Sequence, residues 1–149
     1  MKIIVDTNIV FSAILSSNSH IGKILLNSKD HFQFFTCNYL RTEIQRHRRK
    51  LLKLTKLTEN QLFELEELVT QHITFIDERL IPQNLLIKTE IQLEAIDPDD
   101  TVFVALTKHL EGKLWTGDLQ LYNGLKAKRF KDIILTSELS LLLDDLEQD

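Results

Sequence analysis

The run Ile3-Ile4-Val5, followed at once by Asp6-Thr7-Asn8, constrains the fold of this chain most strongly. A continuous β-branched apolar run is typical of a strand that is covered on both faces, as in the middle of a parallel sheet. Ligands of open α/β sheets bind outside the carboxyl ends of such strands, where Asp6 would lie. Asp6 and Asn8 are also good N-caps for a helix beginning near Ile9. Taken alone, this stretch leaves both interpretations open.

Strands and helices are predicted to alternate along the chain. Apolar and alternating segments predict five strands, at residues 3–5, 31–36, 73–76, 113–116 and 130–135. Helical periodicity predicts helices at residues 9–15, 21–26, 39–50, 58–72, 84–95, 101–109, 119–126 and 137–146. In the helix at 39–50, the spacing of Leu40, Ile44 and His47 marks the side facing the core, and Gly112 is expected to cap the helix at 101–109. This alternation predicts a parallel sheet with helices on both faces.

Composition is that of an ordinary globular protein. The 149 residues are 43% hydrophobic and 27% charged, with a formal net charge of −4. We expect one domain over residues 1–149, because this length suffices for one hydrophobic core. No apolar run approaches the ~20 residues that span a bilayer, and the N-terminus lacks a signal-peptide pattern, so no membrane association is expected. The single cysteine, Cys37, excludes an internal disulfide and favours a cytoplasmic location.

Four acidic residues stand out by their positions: a parallel sheet would bring three of them together, and Glu43 can reach them if its helix leans over. They are Asp6 after the first strand, Glu43 in the helix after the second, Asp100 at the start of the helix before the fourth, and Asp118 after the fourth. Two carboxylates ~4 Å apart repel each other by about 4 kcal/mol at an effective dielectric of ~20. Either some of them keep their protons, with raised pKa values, or a cation neutralises them. An all-oxygen site suits Mg²⁺ or Mn²⁺, which support phosphodiester hydrolysis.

Other kinds of site are disfavoured by the sequence. Its four glycines do not form a phosphate-binding loop or a dinucleotide fingerprint, and its five histidines show no paired metal-ligand spacing. A second notable feature is a basic segment, which contains Arg41, Arg46, Arg48, Arg49, Lys50, Lys53 and Lys56. A run of charge is usually a solvated helix face, and the alternative is a phosphate-contacting patch.

Three stretches of the chain together resemble the PIN domain family. They are IIVDTNIVFSAIL near the N-terminus, IDPDDTVFVALTKHLEGKLWTGD in the second half, and KRFKDIILTSEL near the end. Each piece alone is a weak signal, but their order and their placement at strand ends make the joint match specific. The family includes toxin nucleases of the VapC type and many stand-alone PIN proteins.

The resemblance implies a three-layer α/β/α sandwich with a five-stranded parallel sheet and Mg²⁺- or Mn²⁺-dependent ribonuclease activity. It carries catalytic roles over to Asp6, Glu43, Asp100 and Asp118, and metal binding to Asp6, Asp97, Asp100 and Asp118. Asn8 and Thr116 match the family's supporting polar residues. Among the neighbouring acids, the family's helix pattern favours Asp100, with Asp97 as a second participant and Asp99 as a solvated helix-terminal acid. A homodimer is implied and, in the toxin branch, a small antitoxin protein that plugs the cleft.

The leading hypothesis is therefore a metal-dependent endoribonuclease, with the toxin of a toxin–antitoxin pair as one form of it. In this hypothesis the RNA backbone is held beside the acids by Arg41, Arg46, Arg48, Arg49 and Lys50, and by the cluster Lys126, Lys128, Arg129 and Lys131. The alternative is a PIN fold that binds RNA or protein without cutting, which would be marked by lost acids. A phosphotransfer module is disfavoured because Asp6-Thr7-Asn8 lacks a second acid close to Asp6.

Overall fold

The computed structural model describes residues 1–148. Over these residues the chain forms five strands, β1 (Lys2–Val5), β2 (Gln33–Cys37), β3 (Ile73–Ile76), β4 (Lys113–Trp115) and β5 (Ile133–Ile134). Nine helices occur over the same residues: α1 (Thr7–Leu15), α2 (His20–Asn27), α3 (Tyr39–Arg46), α4 (Arg48–Thr55), α5 (Glu59–Val69), α6 (Gln83–Leu93), α7 (Thr101–Leu110), α8 (Leu119–Ala127) and α9 (Thr136–Glu147). Two 3₁₀ turns, Glu78–Leu80 and Pro98–Asp100, precede α6 and α7.

The strands form one parallel sheet in the order β3-β2-β1-β4-β5. Right-handed crossovers therefore place α1 to α5 on one face of the sheet and α6 to α8 on the other. The packing agrees, because α1 contacts α2, α3, α4 and α5, whereas α7 contacts α6 and crosses β1, β2 and β4. The predicted α/β/α sandwich with a five-stranded parallel sheet is confirmed.

Strand β1 lies at the centre of the sheet and marks the point where the direction of the chain reverses. From β1 the chain moves to β2 and β3 on one side, and then returns to β4 and β5 on the other. Ile3, Ile4 and Val5 are each 0% exposed, which confirms a strand covered on both faces. In open parallel sheets the crevice at such a reversal, outside the carboxyl ends of the strands, is the usual ligand site. Here that crevice lies between the ends of β1 and β4.

The helix predicted at residues 39–50 is two helices, and the role given to His47 is wrong. Helix α3 ends at Arg46 and α4 begins at Arg48, with His47 between them at φ −101° and ψ 12°. Leu40 and Ile44 are buried as predicted, but His47 is exposed and packs edge-on against Phe11, with ring centroids 5.4 Å apart. The bend turns α4 towards α1 and α5, where Leu51 becomes buried.

Two further predictions at the ends of elements need correction. Gly112 does not provide the left-handed residue that ends α7, because Glu111 adopts that conformation with φ 57°. Gly112 instead allows close packing on β1, since a Cβ atom there would lie 2.5 Å from Ile4 Cδ1 and 2.8 Å from the Lys2 carbonyl oxygen. The fifth strand is limited to Ile133–Ile134 rather than 130–135, because it pairs with β4 alone and over only two residues.

Among residues 1–148, no single helix is long and apolar enough to cross a membrane. Helices α1 and α2 meet the length and hydropathy criteria only as a pair, with a bend of 108° between them.

Candidate metal centre

Asp6 is the most deeply buried carboxylate of the crevice at the end of β1, and it is 2% exposed. It caps α1, because its Oδ1 accepts a hydrogen bond from the Thr7 backbone N–H at 2.8 Å. Its Oδ2 accepts hydrogen bonds from Thr116 Oγ1 at 2.7 Å and from Asn8 Nδ2 at 3.1 Å. Capping and site formation are therefore not alternatives here, since the same carboxylate does both.

Asn8 and Thr116 join the end of β1 to the end of β4. Asn8 Oδ1 accepts from the Gly117 backbone N–H at 2.9 Å, and Asn8 Nδ2 donates to Thr116 Oγ1 at 3.2 Å. The Thr116 hydroxyl also accepts from the Asp118 backbone N–H at 3.1 Å while it donates to Asp6. Both residues thus lie where the sequence analysis placed supporting polar groups, and they hold Asp6 and the backbone of Asp118 in one network.

Three further carboxylates come together beside this network. Asp97, Asp100 and Asp118 each offer one oxygen, and these oxygens all lie within 4.8 Å of one another. Asp118 caps α8, since its Oδ1 accepts from the backbone N–H groups of Gln120 at 3.0 Å and Leu121 at 3.2 Å. Asp100 is different, because its Oδ2 is buried and has no hydrogen-bond partner within the described part of the chain.

The choice among the three neighbouring acids follows from the 3₁₀ turn Pro98–Asp100. Asp97 Oδ1 accepts from the Asp99 backbone N–H at 3.0 Å and so caps this turn. The turn directs Asp97 and Asp100 to the carboxylate group around Asp118, whereas Asp99 lines a separate cavity. The metal-binding role given to Asp97 and Asp100 stays a prediction, but their positions are those it requires.

The pKa values of two carboxyl groups rise because of this crowding and burial. Burial raises the pKa of Asp6 to about 6, opposed by the hydrogen bonds from Thr116 and Thr7 and assisted by the charges of Glu43 and Asp118. Burial also raises the pKa of Asp100 to about 8, and the charges of Asp6, Asp97, Asp118 and Glu43 add to the effect. Asp100 has no donor to stabilise its buried oxygen, which explains why its pKa rises further than that of Asp6.

Glu43 reaches the site through a residue that the sequence analysis did not assign. Thr7 Oγ1 donates to Glu43 Oε1 at 2.6 Å, which fixes the half-buried carboxylate of α3 against the start of α1. A hydroxyl residue between Asp6 and Asn8, two residues with predicted roles, is the sequence signal that could have identified Thr7. Asp6, Glu43 and Asp118 are all close enough to Asp100 for their charges to act on its carboxyl, so the four acids share one crevice. Their catalytic roles stay predictions.

The donor set of this crevice fits a divalent cation that prefers oxygen ligands. All candidate ligands are carboxylates, as suits Mg²⁺ or Mn²⁺. The unpartnered, buried Asp100 Oδ2 is an acceptor that lacks a counter-charge, and a cation would supply it.

The predicted RNA-binding basic residues fall into two groups. Arg41 and Arg48 form ion pairs with acids of α5. The Arg41 guanidinium lies 3.3 Å from the carboxylates of Glu66 and Glu67, and 4.0 Å from the centre of the Phe75 ring. The Arg48 guanidinium lies 2.5 Å from the carboxylate of Glu59. The others are Arg46, which donates to the Tyr39 hydroxyl at 3.0 Å, and Arg49 and Lys50, which are exposed on α4. RNA binding by these residues stays a prediction, and Arg49 and Lys50 are the exposed candidates whose side chains have no partner within residues 1–148.

The second basic cluster is not beside the acids. Lys126, Lys128, Arg129 and Lys131 lie at the end of α8 and in the loop before β5. Since all strands are parallel, this loop is at the amino-terminal edge of the sheet, and Asp132 next to it pairs with Lys113 at the start of β4, at 3.8 Å. The expectation that this cluster would hold RNA beside the acids is therefore wrong.

Comparisons with known proteins agree with this geometry. A family model described as "PIN domain" matches residues 4–138. The chain belongs to the PIN domain family. The crystal structure of VapBC2 from Rickettsia felis bound to a DNA fragment from their promoter contains a chain similar to this PIN domain, with a TM-score of 0.66 and 17% identity over 91% of this chain and 97% of that chain. At this identity the likeness concerns the fold, and a search of curated proteins gives no match.

The raised pKa of Asp100 predicts how the free energy of unfolding of this PIN domain depends on pH when no divalent metal is bound. A carboxyl whose folded-state pKa exceeds its unfolded value of 3.8 lowers stability as pH rises through the interval up to about 8, because ionisation then opposes folding. We expect Asp100→Asn to raise the melting temperature by roughly 5 °C at pH 8.5 and by clearly less at pH 5.5. Differential scanning calorimetry in EDTA measures both values.

Asp99→Asn is the matched control, because Asp99 is adjacent and exposed, and it should change the melting temperature little at either pH. An equal effect of both substitutions, or a rise in melting temperature for Asp100→Asn that does not depend on pH, would contradict the raised pKa of the buried Asp100 carboxyl.

Proposed function

We propose that this PIN domain is a divalent-metal-dependent endoribonuclease. The family is in general one of nucleases, and the acids to which the resemblance assigns catalysis lie at the crevice between β1 and β4. The observation that supports the proposal most is Asp100. Its buried Oδ2 has no partner among residues 1–148, and one oxygen of its carboxylate lies within 4.8 Å of oxygens of Asp97 and Asp118. A group of close carboxylates with a buried, unpartnered oxygen destabilises the folded state, and a protein that only binds a partner would not need it.

The residues of the crevice divide the work between binding the metal and fixing the geometry. Asp97, Asp100 and Asp118 would hold the cation. Asp6 is not in this group of three, and we assign it a further ligand position on the oxygen that Thr116 and Asn8 orient. Once bound, a divalent cation supplies charge stabilisation to the scissile phosphate and activates water. Glu43, with Oε1 fixed by Thr7, keeps Oε2 as an acceptor that can orient the attacking water.

The RNA backbone requires positive charge close to this acidic crevice. Helix α3 carries Glu43 and, one turn later, Arg46, and α4 continues with the exposed Arg49 and Lys50. Arg41 and Arg48 instead neutralise the acids of α5, including Glu66, whose pKa is raised by burial. We therefore assign phosphate binding mainly to Arg46, Arg49 and Lys50 rather than to the whole basic segment.

A protein partner is the second part of the proposal. The similar chain comes from a VapBC2 complex, which supports a toxin role for this PIN domain and an antitoxin that covers the crevice. A crevice lined by carboxylates would attract a basic segment of such a partner. A homodimer, as the family implies, stays a prediction.

The nuclease activity is tested by removing single carboxylates. We expect Asp100→Asn and Asp118→Asn each to lower the rate of cleavage of single-stranded RNA by about 10²-fold or more, because each would remove a ligand of the cation. Rates are measured with purified protein in Mn²⁺ and in Mg²⁺, with EDTA as the blank. The control is Asp144→Asn, an exposed carboxylate of α9, which should cleave like the wild type. Cleavage that is unaffected by either active-site substitution would point to a contaminating nuclease, and no cleavage by the wild type would favour a binding module.

The assignment of phosphate binding is tested by the salt dependence of RNA affinity. The double variant Arg49→Gln/Lys50→Gln should bind RNA more weakly and lower the slope of log Kobs against log[salt] by about 1.4, the value for two lost phosphate contacts on a single strand. Fluorescence anisotropy of a labelled oligonucleotide in Ca²⁺ gives the slope. The matched control Lys126→Gln/Lys131→Gln removes the same charge from the opposite edge of the sheet and should leave the slope unchanged. Equal losses in both variants would show that only net charge matters.

A further inference from the structure

A cavity of about 550 Å³ adjoins the metal centre on the side of α6. Its walls come from the start of α3, from α6 and from the 3₁₀ turn before α7, and include Thr42 and Asp99. Each of these residues immediately precedes a residue of the crevice, namely Glu43 and Asp100. The cavity and the crevice therefore adjoin each other along these two stretches of the chain. A volume of this size is typical of small-molecule and nucleotide sites.

The lining of the cavity is partly aromatic and partly apolar. Tyr39 provides the aromatic part, and Leu86 and Val102 are the apolar lining. Tyr39 is held in place at both ends, because its backbone N–H donates to the carboxylate of Glu78 and its hydroxyl accepts from Arg46 Nη1 at 3.0 Å. The Arg46 guanidinium lies 5.6 Å from the ring. This combination of a fixed aromatic ring and a neighbouring cation suits a nucleotide, whose base stacks and whose phosphate is negative.

The polar rim of the cavity requires hydrogen-bond donors from its ligand. Glu90 and Asp99 line the cavity and are exposed. Within residues 1–148, neither carboxylate accepts a hydrogen bond from another residue or forms an ion pair. A carboxylate accepts two parallel N–H bonds from a planar group. Among the bases of RNA, guanine alone presents two adjacent N–H donors on its Watson–Crick edge, from N1 and the 2-amino group. Uracil offers one N–H between two carbonyl oxygens, which a carboxylate repels.

We propose that this cavity binds the guanine base of a nucleotide beside the scissile phosphate, with Glu90 or Asp99 as the specificity-determining carboxylate. The proposal rests on the nuclease function above and adds a base preference to it. A lysine or arginine side chain of a protein partner also carries N–H donors, but it is a narrow group that would leave most of the cavity to water. Arg46, beside the Tyr39 ring, would moreover repel a cation.

Cleavage of matched oligonucleotides tests the base preference. Two single-stranded RNAs differ only in one guanosine replaced by inosine, which lacks the 2-amino group, and each is cut by the wild type, Glu90→Gln, Asp99→Asn and Glu94→Gln. We expect the wild type to cut at guanosine about tenfold faster than at inosine, and one of Glu90→Gln and Asp99→Asn to lower this ratio to about one. Glu94→Gln is the control, because Glu94 is an exposed carboxylate at the end of α6 outside the cavity, and it should retain the ratio.

Binding of a mononucleotide separates a failure of this proposal from a failure of the nuclease function. Guanosine 5′-monophosphate should shift the backbone amide NMR signals of Thr42, Asp99 and Val102 in a saturable manner, and inosine 5′-monophosphate should bind about tenfold more weakly. If these shifts occur while RNA is not cleaved, the cavity proposal stands and the nuclease function fails. If RNA is cleaved without preference and the nucleotides cause no shifts, the cavity proposal is overturned and the nuclease function stands. Saturable shifts with a short arginine-rich peptide but not with the nucleotides would likewise overturn it and assign the cavity to a protein partner.

Discussion

The repulsion among carboxylates gathered at one edge of the sheet is the constraint on which the rest of this structure depends. Asp6 tolerates its buried position because three donors, from Thr7, Asn8 and Thr116, compensate its two oxygens. Asp100 lies close by with a buried oxygen that no donor within residues 1–148 reaches. One acid is thus satisfied by the fold itself, and the other depends on a proton or a cation. This difference explains why the pKa of Asp100 rises to about 8 and that of Asp6 only to about 6.

The fold contributes rigidity to this site. The acids come from the ends of two neighbouring strands and from the turn before α7, and Asn8 and Thr116 bond the two strand ends to each other. A site on buried strands and capped helix starts is held more firmly than one on loops, which a metal centre with exacting geometry requires. The cavity beside Tyr39 lies on the other side of β1 from β4, because its lining includes Asn38 and Glu78, which follow β2 and β3.

The sequence predicted the features that depend on strand ends and failed where the tilt or bend of a helix decides. Asp6 and Asp118 could be located because a parallel sheet fixes where its strands end, whereas Asn8 and Thr116 were assigned through the resemblance to the PIN domain family. Glu43 was expected at the site if its helix leaned over, but its contact with Thr7 depends on how α3 lies against α1. The bend at His47 depends on α4 packing against α1, and local periodicity reveals neither detail. The basic cluster at residues 126–131 was wrongly expected beside the acids. In a parallel sheet, the loop before a strand lies at the opposite edge from the loop after it, so the predicted topology already excluded that position.

The most direct test of this account is titration of Mn²⁺ into the metal-free protein by isothermal calorimetry, for the wild type, Asp100→Asn and Asp99→Asn. The account predicts saturable binding of Mn²⁺ to the wild type and to Asp99→Asn, and at least tenfold weaker binding to Asp100→Asn. The reason is that Asp100 belongs to the carboxylate group with Asp97 and Asp118, whereas Asp99 does not. Equal binding by the wild type and Asp100→Asn, or no saturable binding by the wild type, would contradict the claim that this carboxylate cluster is built around a divalent cation.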